Sequence, residues 1–265
     1  MPDPVREVFR RAIAFEGRMQ DAAAERTEEL PWGRALFNDT YHRVYDLNLL
    51  RVERAVGGLT AGALAHEAER LHSEAGHDHR RVAVTDHELG ASLEPGFRAL
   101  GWQVRRFLFM AQLRTPDGPP VAPARELEEA EHWDAKRSFM ATAPEAYDDE
   151  VIAQLLGRDR IKERIVDFRR FGVDAGGTVA SVCELYSDGS TAQVEDVSTR
   201  EEHRGRGYAR STVLTAAAAA REAGCDLVFL VADEDDWPKE LYRKLGFDPV
   251  GTLYDFLKLP PGAST

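Results

Sequence analysis

Apolar positions change their spacing several times along the chain, and those changes mark out its elements. Residues 5–29 read as a helix, and 59–75 as an amphipathic one with Leu64, Ala65, Ala68 and Leu71 along one side. Runs at 41–53, 80–86 and 104–113 read as strands, with a short helix over 95–100 between the last two. Helical patterns at 126–140 and 148–163 then give way to strands at 165–173, 178–186 and 191–199, joined by the turn signals DAGG and SDGS. A helix over 208–223 ends at Gly224, a residue suited to the left-handed C-cap. The stretch DLVFLVA (226–232) is almost wholly apolar, as a strand buried on both faces should be. A helix over 237–245 and a strand over 249–258 complete the pattern.

Between the two sets lies LRTPDGPPVAPARE, 113–126, whose four prolines exclude a regular helix or a central strand. We place a domain boundary there, giving 1–118 and 121–265, in keeping with a length of 265 residues. The two halves share a sequence pattern. GFRALGWQVRRFLFM (96–110) and LYRKLGFDPVGTLYDFL (241–257) each run from an aromatic residue through three positions to a glycine, a second aromatic and a strand. Each follows an apolar strand ending in aspartate, Asp86 or Asp233. Duplication explains this shared order, and the fold class expected is α/β (α+β), with mixed sheets flanked by helices.

Composition narrows the function. With 43% hydrophobic and 30% charged residues the chain is of globular type. A net charge of −12, from 46 acids and 34 bases, argues against a nucleic-acid surface; it reads first as solubility and is compatible with a cationic partner or substrate. No apolar run approaches the roughly 20 residues that span a bilayer. The opening MPDPVREVFRR has no apolar leader, so a cytoplasmic protein is expected, with Cys183 and Cys225 reduced and structural. The histidines of HEAERLHSEAGHDH do not suggest a metal site, because His66 and His72 stand roughly 240° apart around a helix. They are expected to be solvated or capping residues.

The most informative stretch is REEHRGRGYARSTVL, 200–214. A strand, a loop with Gly205 and Gly207, and a helix from Tyr208 make an anion site, because glycines admit close approach and the helix end offers unpaired N–H groups. Arg204, Arg206 and Arg210 add positive charge. No Gly-Lys-Ser/Thr follows, so the loop is not a Walker A motif. Nor is it a dinucleotide fingerprint: Arg210 occupies the third glycine position, and Asp226 begins its strand rather than ending it.

RGRGYA is an Arg-x-x-Gly-x-Ala pattern, and with it the chain resembles the GCN5-related N-acetyltransferase (GNAT) family, whose loop reads Gln/Arg-x-x-Gly-x-Gly/Ala. Arg204, Gly207 and Ala209 match the defined positions. VEDVST stands where the family's fourth strand lies, and LVFLVADEDDWPKELYRKLGF looks like its fifth strand, next helix and closing Tyr-x-x-x-Gly-Phe. The resemblance covers 121–265. It implies acetyl-CoA as co-substrate, with its pyrophosphate on the amides of Arg204, Gly205, Arg206, Gly207, Tyr208, Ala209 and Arg210. It also implies that Val197 and Thr199 bind the acetyl and pantetheine groups, and that Tyr242 protonates the leaving thiolate. Strand alternation puts Glu195 on the face of Val197 and Thr199, with Asp196 and Ser198 on the other, which makes Glu195 the candidate base. Gln193 stands where relatives carry a glutamate, and Asp235 where they carry an asparagine. The counterpart of Tyr242 in the first half is Phe97, which has no proton to donate, and the loop RAVGGLTAG (54–62) lacks the glycine spacing. Residues 1–118 therefore read as a degenerate, non-catalytic copy, as in the family's tandem members. The function expected is N-acetylation of a primary amine of a small molecule. Protein acetylation and a non-catalytic acyl-CoA-binding module are the alternatives, and monomer and homodimer both remain open.

Overall fold

The amino-terminal segment shows how a breaker residue decides between helix and strand. The computed structural model describes residues 4–142 and 147–260; residues 1–3 and 261–265, the outer ends of the two expected domains, and 143–146 lie outside the described residues. Helix α1 (Pro4–Ala23) starts on a proline, whose missing N–H costs nothing there, and buries Ala12, Phe15 and Ala23. It does not continue to residue 29 as expected. Instead β1 (Arg26–Leu30) and β2 (Gly33–Phe37) form a hairpin, paired from Arg26↔Phe37 to Leu30↔Gly33. Pro31 cannot extend a helix, and the outermost strand of a sheet tolerates a charged run.

The strand expected over 41–53 is likewise shorter. Only β3 (Leu49–Val52) is extended, because Tyr45–Leu47 forms a single 3-10 turn stitched by buried asparagines. Asn38 N donates to Asn48 Oδ1 at 2.8 Å, and Asn48 Nδ2 donates to Val44 O at 2.9 Å. Then follow α2 (Ala61–Glu74), β4 (Arg80–Val84), α3 (His87–Ala99) and β5 (Gln103–Gln112). Helix α3 begins earlier than the expected 95–100, since Asp86 Oδ1 accepts from Leu89 N at 2.8 Å and caps it. The second half comprises β6 (Arg125–Glu126), α4 (Glu129–Ala141), α5 (Asp149–Ile165), β7 (Asp167–Ala175), β8 (Thr178–Ser187) and β9 (Thr191–Thr199). It ends with α6 (Tyr208–Glu222), β10 (Leu227–Asp233), α7 (Pro238–Lys244) and β11 (Phe247–Lys258).

Among the described residues eleven strands join one sheet, in the order β1-β2-β3-β4-β11-β5-β10-β9-β8-β7-β6. Its pairs are antiparallel except β3–β4 and β9–β10, one parallel pair in each half. Each half builds that pair across a helix, α2 or α6, and then adds a second helix, α3 or α7, and a long final strand. The final strands trade places. β11 pairs with β4, β5 pairs with β10, and the two run antiparallel to each other from Phe247↔Gln112 to Leu257↔Gln103. The turns ahead of them match, with Gly101 at φ 76° and Gly246 at φ 88°.

Apolar side chains fill both faces. One core lies under α6 and includes Cys183, Val194, Val213, Val228 and Tyr242. A second lies under α2 and α3, with Leu64, Val82, Phe97 and Phe256. The seam between the halves is covered by α1, whose Ala12 and Phe15 pack with Phe109, Phe229 and Leu253.

The histidines depart from expectation. His66 is exposed, but His72, His77 and His79 are 0%, 4% and 1% exposed. Their rings lie 5.0–5.6 Å apart, and His79 stacks on Tyr45 at 4.0 Å. His72 shares the buried side of α2 with Leu64, Ala68 and Leu71, so the helix carries it inward. Burial pushes His72 down to about 2 and His79 to about 4.

Candidate active site

Strands β8 and β9 form a hairpin whose register slips between Val182↔Ser198 and Glu184↔Glu195. The additional residue lies on β9, where Asp196 has φ 54°, the one left-handed residue other than glycine among those described. This bulge corrects the alternation expected for the strand. Val197 packs against the α6 core. Glu195 lies on the opposite face, bonded to Gln193, which also bonds Glu16 of α1. Asp196 and Ser198 share that opposite face, beside Lys136 and Glu184. Thr199 Oγ1 is bonded to Ser181 Oγ at 2.9 Å.

The parallel ladder between β9 and β10 runs only from Leu227↔Thr191 to Phe229↔Gln193. Beyond it β10 continues against β5 while β9 continues against β8, so the two diverge and leave an uncovered edge of β9 from 194 onward. At the open end stands the loop. Gly205 and Gly207 have φ 74° and 78°, a conformation that costs most side chains on the order of 1–2 kcal/mol. A Cβ added at Gly207 would also lie 2.6 Å from Val121 Cγ2. Gly207 is the N-cap of α6 and offers no side chain to it, and the first turn carries no acid. The first intrahelical bond runs from Ser211 N to Gly207 O at 3.2 Å, so the amides of Tyr208, Ala209 and Arg210 precede it at the open helix end.

The three loop arginines behave differently. Arg204 and Arg206 are exposed, with Arg204 Nε donating to Thr199 O at 3.3 Å and Arg206 Nη2 to Glu202 O at 3.1 Å. Arg210 is drawn onto the proline-rich linker, where it donates to Pro119 O at 2.9 Å and to Gly118 O. The linker also sends its Val121 and Ala122 amides to Ser211 Oγ at 3.0 Å.

Tyr242, on α7, is 8% exposed and packs in the α6 core. Burial raises its hydroxyl well above the ordinary value, and the negative charge of Glu195 adds to the effect. Burial also raises Glu195 itself. Asp235 and Glu234 are engaged by Arg106 from β5, at 3.3 and 2.8 Å, so this acidic run meets a cation from the other half of the chain.

Beneath the bulge lies a buried ionic cluster that the sequence pattern did not announce. Lys136 Nζ pairs with Asp159 at 2.7 Å and with Glu184 and Asp196. His132 Nε2 reaches Glu184 Oε1 at 3.0 Å. Burial alone would raise the Glu184 carboxyl, but the Lys136 ammonium overrides it and holds the group low. Asp159, Glu184 and Asp196 converge closely enough to hold a cation, and the Lys136 ammonium is the cation between them. Glu16 was missed for another reason, since it lies 177 residues from Gln193 in sequence.

The sequence profile of the Acetyltransferase (GNAT) family matches residues 107–247, and that span holds the splayed strands, the glycine loop and Tyr242. The chain belongs to this family. No curated protein sequence matches it. Among solved structures it is similar to a functionally unknown conserved protein from Staphylococcus epidermidis, with TM-score 0.66 and 16% identity over 89% of this chain and 94% of that one. A GCN5-related N-acetyltransferase from Kribbella flavida aligns over 99% of this chain and 97% of its own, with TM-score 0.61 and 17% identity. A tandem GNAT protein from the clavulanic acid biosynthesis pathway gives TM-score 0.54 and 16% identity over 79% and 75%. At such identities the likeness speaks for the fold, and this GNAT protein accordingly has the tandem arrangement. No helix among the described residues is long and apolar enough to cross a membrane.

Proposed function

We propose that the protein is an acetyl-CoA-dependent N-acetyltransferase acting on a primary amine of a small molecule, with the reaction in the carboxy-terminal half. The observation that carries this reading is the end of the β9–β10 ladder at Phe229↔Gln193, with an uncapped helix end beyond it and Tyr242 packed in the core under α6. The donor set fits a diphosphate: glycines at left-handed φ, free amides at the start of α6 and no acid in its first turn. In this reading Gly205, Gly207, Tyr208 and Ala209 offer their amides to the diphosphate, and Arg204 and Arg206 lend charge from the loop's surface. Arg210 serves by fixing the linker. Val197 and Thr199 present backbone groups along the free edge of β9. Acetyl-CoA supplies the thioester carbonyl that the amine attacks.

A free alkylamine has a pKa near 10 and must lose a proton before it can attack. Glu195 accepts it through a water, and burial has already moved this carboxyl towards the amine's range. Tyr242, whose proton is held firmly by burial, donates to the departing thiolate. The net charge of −12 favours a cationic acceptor.

Thiol release from acetyl-CoA, followed across simple amines, polyamines, aminoglycosides and peptides, tests the reading. Release with a small amine is expected. Stabilisation by CoA without release on any amine would leave a binding module, and release on peptides alone would make it a protein acetyltransferase.

A further inference from the structure

Position 193 of β9 holds a glutamine, and its side chain is 2% exposed. Its Nε2 makes two bonds, to Glu195 Oε1 at 2.6 Å and to Glu16 Oε1 at 2.7 Å. The two carboxylates are thereby pinned as neighbours by a single nitrogen. Glu195 comes from β9, whereas Glu16 comes from α1, the helix that the amino-terminal half lays across the seam. Glu16 also lines a groove of about 340 Å³ between α1 and the sheet, bordered by Arg51, Ala83 and Thr85.

We propose that Glu16 supplies the carboxylate that position 193 lacks, and that Glu16 and Glu195 act together as a two-acid, one-proton acceptor built across both halves of the chain. Resting on the acetyltransferase reading, this makes Glu16 a positioning residue that sets the basicity of Glu195. Two ionised carboxylates at one site repel each other, so the fully deprotonated pair takes up a single proton more firmly than an isolated acid does. The surroundings agree. Burial and then the Glu195 charge push Glu16 up to about 8. Lys162 of α5 and Arg81 of β4 oppose that rise, Glu184 and Asp196 raise Glu195 in turn, and the Glu195 charge is felt by Tyr242 on α7.

The acceptor's N–H bond breaks and an O–H bond forms on Glu195, which leaves the nitrogen lone pair free to attack the thioester carbon. The C–S bond breaks, the thiolate takes the Tyr242 proton, and the second proton of the attacking nitrogen passes to solvent as Tyr242 recovers one. The proton held by the pair leaves by the groove that Glu16 lines, so the turnover releases one proton, as conversion of an ammonium to an amide requires.

The test is Glu16→Gln, with kcat followed between about pH 6 and pH 10. Turnover should fall about tenfold and the acidic limb should move to lower pH, with the KM for acetyl-CoA and the CoA-induced thermal shift unchanged. Glu16→Gln with Gln193→Glu returns a carboxylate to the face of Glu195, and should restore both the limb and the rate to within a few fold. A wild-type profile in Glu16→Gln, or a double variant as slow as the single one, would overturn the proposal. Should Glu16→Gln fail to fold, Gln193→Glu alone decides: the added acid should move the limb to higher pH, and an unmoved limb refutes the pair. If the wild type acetylates no amine, it is the acetyltransferase reading that fails. The pair is then judged by ¹³C NMR of the side-chain carboxyls. A carboxyl titrating above the ordinary range and lost in Glu16→Gln supports it, and only ordinary titrations overturn it.

Discussion

The parallel pairs β3–β4 and β9–β10 are built alike and end differently. In the amino-terminal half the ladder runs through Leu50↔Val82, Arg51↔Ala83 and Val52↔Val84, and Thr85 N extends it to Val52 O at 3.0 Å. In the carboxy-terminal half it stops at Phe229↔Gln193, and β9 goes on to Thr199 without that neighbour. The helix ends differ in the same sense. Thr60 caps α2 with its own hydroxyl, which accepts from Ala63 N at 3.2 Å, whereas α6 begins at Gly207 and keeps its amides free. Phe97 stacks on Phe256 at 4.0 Å, while the corresponding aromatic, Tyr242, carries a hydroxyl. A strand bond, a cap and a ring thus close one half and leave the other open, with the chain path unchanged. The lesson is that one chain path accommodates both a capped and an uncapped helix end.

The strongest challenge to this contrast is Tyr242→Phe, which gives the open half the ring of the closed one. Turnover should drop by about 10²–10⁴-fold while CoA binding, read as a thermal shift, stays intact. Unchanged turnover would remove Tyr242 from the mechanism. Next comes Gly207→Asp, which puts a charge and a strained side chain at the helix end. It should abolish the stabilisation of about 2.7 kcal/mol expected when CoA stands at a hundredfold excess over its Kd. A persisting shift would move the site elsewhere. The closed half should be the more sensitive to acid. Its buried histidines stay neutral in the fold but charge on unfolding, so stability holds above about pH 6.5 and is lost below it, towards pH 4. Each such proton contributes a slope of about 1.4 kcal/mol per pH unit, measurable by urea unfolding across that range. His79→Gln should flatten the slope, and a slope independent of pH would contradict the burial argument. The smallest effect belongs to Thr60→Ala, which removes the cap of α2. A loss of about 1 kcal/mol in stability with no gain in CoA affinity is expected; new CoA binding by the amino-terminal half would show that the cap alone had closed it.

Most elements were legible because they are written locally. The apolar run of β10, the turn signals around β8 and the glycines before α6 each declare themselves within a few residues. The elements that went astray were decided at a distance. The end of α1 depends on Pro31 and on an edge position that only the assembled sheet provides, and the shortness of β3 depends on Asn38 reaching Asn48. At the site, the loop and Tyr242 could be found by spacing, but the bulge at Asp196 could not. It is a one-residue slip against β8, and it reverses the facing that alternation assigns to the residues beyond it. Glu16 was out of reach for the same reason, since only packing of α1 on the seam brings it to Gln193.

The trading of β5 and β11 has a consequence for biogenesis. Strand β11, made later than the other described strands, belongs in the middle of the sheet, between β4 and β5, so the amino-terminal half must wait for residues 247–258 before its edge is satisfied. Each half cut at the proline-rich linker would keep its own final strand but lose the one from the other half that pairs with its parallel strands. Co-expressed fragments should recover a native assembly only by finding each other, and a chain clipped before Phe247 should be left with two sticky sheet edges.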